Sequence, residues 1–423
     1  MSRAMRDCGI PWIGDIPQKW STDTIGSLYS LRNEKVSDKD FPPLSVTKNG
    51  VVPQLDNAAK TDDGDNRKLV RKGDFAINSR SDRRGSCGIS DYDGSVSLIN
   101  TIITPRKDMN PQFYNWLFHT EAFADEFYKW GHGIVDDLWT TRWQEMKRIS
   151  VVLPSLIEQQ RIADFLDKKC AEIDELVSLQ EEFIEELKAY KQSVITEAVT
   201  KGLDPNALLK PSGIDWIGEI PRRWEECRLK DVFTLKTGTT PKDFEQGLND
   251  GSVVDWFTPS DVLEMNCELS CAARHLSRTV IEKERIELNP IGSLIFVGIG
   301  ASAGKVGYSL VESYSNQQIT TLIPKERSYV SKYGYYYMIA DRKRIRENAF
   351  FTTLPIINNS YLSVIKTLVP PLIEQHQIVE YLDEKCAEID SLITIKQQKI
   401  EELKEYKKSI IYEYVTGKKE VDG

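Results

Sequence analysis

The sequence predicts an α+β fold: two variable domains of mixed α/β sheet type, joined by two long helices that form an antiparallel coiled coil. Repeats within the chain predict it. GIPWIGDIPQKW at 9–20 returns as GIDWIGEIPRRW at 213–224, with eight of twelve residues identical. A longer segment, 153–200, returns at 369–416 with a little over half of its residues identical, whereas the stretches between the repeats are mostly dissimilar. A duplicated scaffold carrying two unlike domains predicts a pseudo-twofold internal repeat.

We name the short repeats Trp box 1 (residues 9–20) and Trp box 2 (residues 213–224). Each opens a variable domain, and each variable domain leads into one copy of the longer repeat. This order predicts four parts, namely a first variable domain 1–152, a central helix 153–204, a second variable domain 205–368 and a C-terminal helix 369–423. We expect Trp12 and Trp216 to be hydrophobic anchors that seat each domain on its helix, because tryptophan buries a large apolar area.

Both variable domains are predicted to contain short strands separated by turns. Strand-forming residues alternate with Gly, Asn, Asp and Ser in 41–53 and 74–105 of the first domain, and in 293–324 of the second. Helical segments follow, NWLFHTEAFADEFYKW in the first domain and YGYYYMIADRKRIRENAF in the second. The pattern indicates a mixed sheet with polar and basic side chains concentrated in the loops between strands.

The longer repeat predicts the helices. Residues 156–200 contain neither proline nor glycine, and apolar residues recur with heptad spacing. The predicted seam has two series of apolar residues. The first series is Ile173, Leu187 and Val194 in the central helix and Ile389, Leu403 and Ile410 in the C-terminal helix. The second series is Leu176, Phe183 and Tyr190 in the central helix and Leu392 and Tyr406 in the C-terminal helix. Two related stripes in one chain most simply bury each other as an antiparallel pair. Lys396 and Lys399 interrupt the second stripe, which predicts an apolar surface left over for another protein's helices.

The distribution of charge separates the helices from the domains. The two helical segments, 153–204 and 369–423, carry −6 and −4, while the whole chain carries −9. The remainder is close to neutral, so the acidic composition describes the coiled coil and does not exclude nucleic acid at the variable domains.

Composition also excludes several classes of protein. No apolar run has the length of a signal peptide or of a membrane helix, so we expect a cytoplasmic protein without a membrane partner. Seven cysteines without CxxC or Cys/His spacing favour free thiols, and we expect no metal site. Cys170 and Cys386 occupy matching helix positions, where packing explains them better than nucleophilic chemistry.

Taken together, these motifs resemble the specificity subunit of type I restriction-modification systems. The resemblance covers nearly the whole chain. It is carried by the two Trp boxes, by LPSLIEQQRIADFLDKK and VPPLIEQHQIVEYLDEK at the helix starts, and by LSVTKNGVVP, LKTGTTPK, WFTPSDV, GASAGKVGYS and SNQQITTLIP within the domains. The alternation of all these motifs is more specific than any one of them.

The resemblance implies a non-catalytic subunit that recognises double-stranded DNA. Each variable domain would be a target recognition domain for one half of a bipartite, asymmetric site, and the helices would set the spacer. The partners implied are two modification subunits, which carry S-adenosylmethionine and methylate adenine, and a translocating restriction subunit that uses ATP and Mg²⁺. No cofactor is implied for this chain. Two readers on a rigid spacer predict halves about one helical turn, ~34 Å, apart.

Polar and basic loop residues are the candidate DNA contacts, because such side chains donate hydrogen bonds to base edges and phosphates. The basic cluster of NSRSDRRGSCG is the strongest candidate in the first domain, although an isolated cluster of this kind is more often a solvated turn. The first-domain candidates are Thr47, Lys48, Asn78, Arg80, Ser81, Arg83, Arg84, Thr140 and Arg142. The second-domain candidates are Thr239, Thr240, Lys242, Thr258, Ser260, Asp261, Ser302, Lys305, Asn358, Asn359 and Ser360. Any of these residues can instead cap a turn.

Two other functions fit parts of the sequence. FVGIGASAG at 296–304 looks like a glycine-rich cofactor loop of a self-contained methyltransferase, but the next segment is predicted to be a strand where a dinucleotide loop requires a helix. No NPPY-like tetrapeptide is present; NPIG at Asn289 is the nearest. The other alternative is a coiled-coil architectural protein that binds DNA without sequence preference.

Overall fold

The computed structural model describes residues 3–54, 64–133, 139–242, 253–264, 267–325, 328–348, 350–351 and 355–421. The chain divides into two compact units. Unit 1 contains residues 1–181 and 398–423, and unit 2 contains residues 182–397. Both divisions fall inside the long helices, so each unit combines one variable domain with the first part of one helix and the last part of the other.

The first variable domain is built from short strands and four short helices. In chain order they are β1 Met5–Asp7, β2 Asp15–Pro17, β3 Ser21–Thr24, α1 Ile25–Leu28, β4 Tyr29–Arg32, β5 Lys35–Val36, β6 Leu44–Thr47, β7 Gly50–Pro53, β8 Arg67–Val70, β9 Phe75–Asn78, a 3-10 turn Ser81–Arg83, β10 Cys87–Ile89, β11 Gly94–Val96, β12 Asn100–Pro105, α2 Pro111–Phe118, α3 Glu121–Lys129, α4 Trp143–Met146 and β13 Ser150–Leu153. The first long helix, α5 Leu156–Lys201, follows.

The second variable domain repeats much of this order. Its elements are β14 Leu209–Pro211, β15 Glu219–Pro221, β16 Glu225–Arg228, α6 Leu229–Val232, β17 Phe233–Thr237, β18 Val253–Phe257, β19 Glu268–Leu269, β20 His275–Ser277, α7 Arg278–Glu284, β21 Leu294–Val297, β22 Val306–Ser309, β23 Tyr314–Ser315, β24 Ile319–Pro324, α8 Ser331–Glu347, β25 Phe350–Phe351, β26 Pro355–Ile356, α9 Asn359–Val364 and β27 Lys366–Val369. The second long helix, α10 Leu372–Val415, completes the element order. The predicted α+β architecture is confirmed.

The main sheets of the two units share four neighbouring strands in the same order, because β10-β9-β12-β4 corresponds to β22-β21-β24-β17. Unit 1 has a four-stranded sheet in the order β10-β9-β12-β4, and unit 2 has a five-stranded sheet in the order β17-β24-β21-β22-β19. Each Trp box contributes one strand, β2 or β15, which pairs with the strand that precedes the box, β1 or β14. Each domain closes by pairing β3 with β13 or β16 with β27. A smaller three-stranded sheet accompanies the main sheet in each unit.

Each Trp box is buried against both helix segments of its own unit. In unit 1 the Trp20 indole N–H donates to Glu158 Oε2 in the first turn of α5 at 2.7 Å, and the Tyr412 hydroxyl of α10 donates to Trp12 O at 3.1 Å. In unit 2 Trp224 is fully buried and packs edge-on against Tyr333, whose hydroxyl donates to Val199 O of α5 at 2.9 Å. Box and helix ends therefore share one core in each unit.

The two long helices pair antiparallel within each unit. In unit 1 the rings of Phe165 and Tyr414 lie 4.4 Å apart, and Lys407 Nζ lies 2.6 Å from Asp174 Oδ1. In unit 2 Lys396 Nζ lies 4.9 Å from the centre of the Phe183 ring, and Lys191 Nζ lies 2.5 Å from Asp390 Oδ1. In both units the α10 partner number falls as the α5 number rises, which is the predicted antiparallel pairing.

One series of the predicted heptad seam is wrong. Ile173 and Ile389 are buried as expected, but Leu176, Phe183 and Tyr190 are 46%, 49% and 57% exposed. Leu392 and Tyr406 are 48% and 49% exposed, and Lys399 also faces solvent. The second series of the real seam is shifted by one residue and contains Cys170, Ile184, Lys191 and Ala198 in α5 and Cys386, Ile400 and Lys407 in α10. A lysine at a seam position in each helix concealed this series from the apolar pattern.

Candidate nucleic-acid interface

In unit 2 the candidate residues gather at one end of the five-stranded sheet. At this end Thr237 pairs with Thr320, and Val297 pairs with Ile319. The Asn359 side chain bridges the strands there, because its Nδ2 donates to Thr237 Oγ1 at 3.0 Å and its Oδ1 accepts from Thr320 Oγ1 at 2.6 Å. The loops that follow β17 and β21, with the first turn of α9 and its N-cap, therefore bring together Thr239, Thr240, Ser302, Asn358, Asn359 and Ser360.

The WFTPSD turn extends the same end of unit 2. Strand β18 runs parallel to β23, with Phe257 opposite Ser315, and both chains then turn at this end. Within the turn Asp261 Oδ2 accepts from the Thr258 N–H at 2.7 Å and from its hydroxyl at 2.8 Å, while Ser260 Oγ lies 2.8 Å from Thr258 Oγ1. Thr258 is buried and Ser260 is exposed. The hydrogen bonds show a turn-capping role for the trio, and direct contact with DNA stays a prediction.

Lys242 and Lys305 differ from the hydroxyl and amide residues at this end. The Lys242 backbone N–H donates to Glu284 Oε1 at 3.0 Å. Lys305 Nζ lies 3.2 Å from Glu264, whose other oxygen lies 2.6 Å from the Arg342 guanidinium. Partial burial works to raise the pKa of Glu264, but Arg342 and Lys305 hold this pKa below its ordinary value. The charge of Lys305 is therefore already partly neutralised within the protein.

In unit 1 the basic cluster lies in the corresponding loop, residues 79–86, between β9 and β10. Arg80 pairs across an isolated bridge with Thr140, and the Thr141 N–H donates to Ser79 O at 3.0 Å. The bridge brings Thr140 and the exposed Arg142, which precedes α4, beside the loop that holds Asn78, Arg80, Ser81, Arg83 and Arg84. Arg84 forms an ion pair with Asp125 of α3, and Arg83 lies 3.7 Å from Asp82.

The turn with Thr47 and Lys48 approaches the same end of unit 1. Thr47 Oγ1 donates to Gly50 O at 3.0 Å and closes the β6-β7 turn, while Lys48 is exposed. A Cβ atom on Gly88 of β10 would lie 2.6 Å from the Cα of Gly50, so two backbones meet where no side chain fits. The close approach places the turn next to the start of β10, where the basic loop ends.

The two units therefore use equivalent loops. Residues 79–86 link β9 to β10, and residues 298–305 link β21 to β22. Each loop is held by the same kind of backbone bond, from Thr141 N to Ser79 O in unit 1 and from Ile357 N to Gly298 O, at 2.8 Å, in unit 2. One loop is rich in arginine and the other in glycine, which is why the sequence alone did not align them.

Sequence reasoning missed several residues at these sheet ends. In unit 2 Asn316, Gln317 and Gln318 form the turn before β24, and Lys343 and Arg346 lie in the last turns of α8. Arg346 donates to Ala301 O of the glycine-rich loop at 3.4 Å. The available signal for the first group was three consecutive amide residues directly before a predicted strand.

The glycine-rich segment is not a dinucleotide loop. Strand β21 is followed by the antiparallel strand β22, with Phe296 opposite Val306, where a dinucleotide loop would open a helix. This confirms the strand predicted from the sequence. Within the described ranges, no three His, Cys, Asp or Glu residues are grouped as metal ligands. Burial raises the pKa of Cys170 and of Cys386 to about 11, which keeps both thiols protonated at neutral pH.

Comparison with known proteins finds one family of similar sequences. Residues 221–405 match the sequence model of the type I restriction modification DNA specificity domain. The MjaVIII specificity subunit of Methanocaldococcus jannaschii is 27% identical over 64% of this chain, a match that spans only 62% of that relative's length. The putative MjaX specificity subunit of the same organism is 22% identical over 96% of this chain and 95% of its own.

The chain is therefore similar to the specificity subunits of type I restriction-modification systems, and residues 221–405 match their DNA specificity domain.

Solved structures support the fold of the chain. A chain from a study of complex assembly and conformational transition of the type I R-M system superposes with a TM-score of 0.72, at 17% identity over 95% of this chain and 98% of that one. The HsdS subunit from Thermoanaerobacter tengcongensis superposes with a TM-score of 0.52, at 18% identity over 95% and 98% of the two chains. At these identities the likeness concerns the fold.

The long helices carry exposed apolar residues away from their seam. Besides Leu156, Ile157, Leu372 and Ile373 near the helix starts, they include Leu176, Leu179 and Tyr406 in unit 1 and Phe183, Tyr190, Leu392 and Ile395 in unit 2. Clusters of exposed apolar side chains are unusual on a protein that acts alone. None of the described helices is long and apolar enough to cross a membrane.

Proposed function

We propose that the two sheet ends read the two halves of an interrupted, asymmetric DNA site. Similarity to the specificity subunits supports the role in DNA sequence recognition. The observation that carries the bipartite reading is the structural equivalence of loops 79–86 and 298–305, which occupy one position on a repeated scaffold with unlike residues. The same scaffold would hold two readers in equivalent positions, while the different loops would select different bases.

The predicted domain division and the predicted contacts belong to this proposal. Residues 1–152 and 205–368 act as target recognition domains, and residues 153–204 and 369–423 act as the spacer between the half-sites. The candidate contacts at the two sheet ends provide phosphate and base contacts. The shared core of each Trp box and its helix segments supports a rigid spacer, because it fixes each reader to the helices.

The exposed apolar residues on the helices bind the modification subunits in this proposal. Their support is twofold: each unit has such residues, and Leu176 and Leu179 occupy the positions of Leu392 and Ile395 in the repeat. A repeated surface suits a partner present in two copies. The modification subunits supply S-adenosylmethionine and methylate adenine, a restriction subunit supplies ATP-driven translocation, and this chain acts without catalysis in the cytoplasm.

The experiment is co-expression of this chain with a modification subunit in a methylation-free host, followed by mapping of modified adenines across the genome. The expected result is a single interrupted motif with two unlike halves. Replacing residues 225–368 with the corresponding segment of another specificity subunit should change one half only, and replacing residues 21–152 should change the other half. Each exchange is the matched control for the other.

The outcomes also separate the alternatives. A co-purifying complex that methylates no sequence would contradict the recognition role and favour the architectural protein. Methylation by this chain alone, with S-adenosylmethionine bound in calorimetry, would favour the self-contained methyltransferase.

A further inference from the structure

We propose that Gln317 and Gln318 read base edges in the half-site of the second domain and determine its sequence specificity. The inference rests on the proposed function, since it assumes that this sheet end faces DNA. Both residues lie in the turn 316–318 between β23 and β24, at the same end as Thr240 and Asn359.

A buried asparagine fixes this turn. Asn316 is 8% exposed, its Oδ1 accepts from the Gln318 N–H at 3.1 Å, and its Nδ2 donates to Gln318 Oε1 at 3.1 Å. The Asn316 N–H donates to Phe257 O at 3.1 Å, and Gln318 O accepts from the Gly298 N–H at 2.8 Å. Strands on both sides therefore hold the turn, and the Gln318 carboxamide has one fixed orientation.

The two glutamine side chains make the same kind of contact, because the Oε1 atom of each accepts a hydrogen bond from a neighbouring side chain. The Thr240 hydroxyl donates to Gln317 Oε1, as Asn316 does to Gln318 Oε1. An amide oxygen accepts two hydrogen bonds, so each carboxamide retains an acceptor position on Oε1 beside the N–H groups of Nε2. Gln317 is exposed and Gln318 is half-buried, so the pair lies at the protein surface.

The glycine-rich loop leaves room beside this pair. Gly300 has a φ of +107°, a region that favours glycine, and a Cβ atom there would lie 3.6 Å from Gln318 Nε2. A larger residue would place a side chain next to the amide. We assign to Gly300 the role of keeping the approach to Gln318 open for a base edge.

This arrangement matches the major-groove edge of adenine. Adenine presents the N7 acceptor and the N6 donor, and a glutamine carboxamide satisfies both in a bidentate contact. One such contact discriminates about 5- to 150-fold against a wrong base pair. The equivalent turn of the first domain has Ser97, Leu98 and Ile99, which carry no carboxamide. At this turn, paired amides are therefore found in the second domain and not in the first.

The test uses the complete complex of this chain with its modification and restriction subunits. Methylation is mapped for Gln317→Ala, Gln318→Ala and the double variant. We expect the first half of the motif to stay unchanged while one or two A·T pairs of the second half become degenerate. Methylation rates on duplexes with one altered base pair should show each discrimination falling by about 5- to 150-fold. Leu98→Ala, at the equivalent turn of the first domain, should leave the second half unchanged.

Substitution by glutamate protects the test against a folding defect. Gln317→Glu and Gln318→Glu keep the side-chain size but offer only acceptors, so the preference should move from adenine toward cytosine, whose N4 donates. An unaltered second half in the active double-alanine variant would overturn the inference, as would an unaltered motif in the glutamate variants. Failure of the proposed function would appear earlier, as the absence of an interrupted motif in the unsubstituted complex.

Discussion

The two variable domains share a scaffold but hold their positive charge on different elements. In the first domain the charge lies in loop 79–86, where Arg84 pairs with Asp125 of the neighbouring helix α3. In the second domain loop 298–305 is mostly glycine, alanine and serine, and the charge lies on α8, whose Arg346 donates to Ala301 O of that loop. The two copies of a repeat can therefore keep a candidate binding surface in the same position while the positively charged residues beside it lie on different elements.

The first prediction concerns the helix seam, where two lysines at equivalent positions of the repeat differ in burial. Lys191 and Lys407 are equivalent, but the Lys191 side chain is 2% exposed and that of Lys407 is 26% exposed. We expect Lys191→Ala to lower the free energy of unfolding by about 3 kcal/mol, chiefly because removing its buried side chain leaves a cavity in the seam. Lys407→Ala should cost about 1 kcal/mol or less, since Asp174 is 63% exposed. Urea unfolding of the full chain measures both.

Lys188→Ala is the control for this pair of variants. Lys188 forms a surface ion pair with Glu185 on the same helix, so its removal should change the unfolding free energy by about 0.5 kcal/mol or less. Equal losses for Lys191→Ala and Lys407→Ala would show that burial does not distinguish the two seam pairs.

The charge of the first domain is tested by the triple substitution of Arg80, Arg83 and Arg84 by alanine. If each arginine neutralises one phosphate, the slope of log affinity against log salt falls by about 2.7, and affinity falls about 100-fold at ~0.15 M salt. Salt-dependent binding of the complex to its cognate duplex measures both quantities. Lys72→Ala and Lys107→Ala, at the opposite end of the same sheet, should leave the slope unchanged. A loop without phosphate contacts would leave the slope unchanged in the triple variant too.

The charge of the second domain is tested on α8. Lys343 is 90% exposed and Arg346 borders the glycine-rich loop, so their double substitution by alanine should lower the salt slope by about 1.8 and the affinity about 30-fold. Because phosphates carry no sequence information, the methylated motif should stay the same. A changed second half would mean that these residues read bases, whereas an unchanged affinity would place the phosphate contacts elsewhere.

The smallest expected effect is a difference in stability between phenylalanine substitutions in the two Trp boxes. Trp20 and Trp224 are equally buried, but the Trp20 indole donates to Glu158, whereas the Trp224 indole N–H has no partner among the described residues. Trp20→Phe should therefore cost about 1.5 kcal/mol more than Trp224→Phe, the value of a hydrogen bond to a charged group. Thermal unfolding of the two variants measures the difference, and each is the packing control for the other. Equal shifts would mean that packing alone anchors the boxes.

Much of the fold follows from the sequence because the repeats define it. Trp boxes, strand-rich domains and long helices were all predictable from repeated letters and hydrophobic spacing. The second seam series was not, because Leu176 and Val177 are both apolar, as are Phe183 and Ile184, so spacing cannot choose between them. Lys191 is a charged residue at a true seam position, so the neighbouring series with Tyr190 had more apolar residues and was predicted instead.

The candidate interface was predictable in part. Residues such as Arg80 and Thr239 follow predicted strands, and the structure places them at sheet ends as such positions suggest. The equivalence of loops 79–86 and 298–305 could not be predicted from the sequence, because the two loops share a position in the sheet but have different residues. Gln317 and Gln318 were missed for a related reason: only the pairing of β18 with β23 brings their turn beside Thr258 and Thr240.

Unit 1 is built from two segments far apart in the chain, and this has a consequence for its synthesis on the ribosome. The Tyr412 hydroxyl that supports Trp12 lies 400 residues later in the chain. At about 5–20 residues per second, translation separates the two by about 20–80 s. Unit 2 is contiguous, so all of it has been translated before the α10 segment of unit 1 emerges. The domain that is made first is therefore completed last, and the surface that packs against the α10 segment stays uncovered until the end of translation.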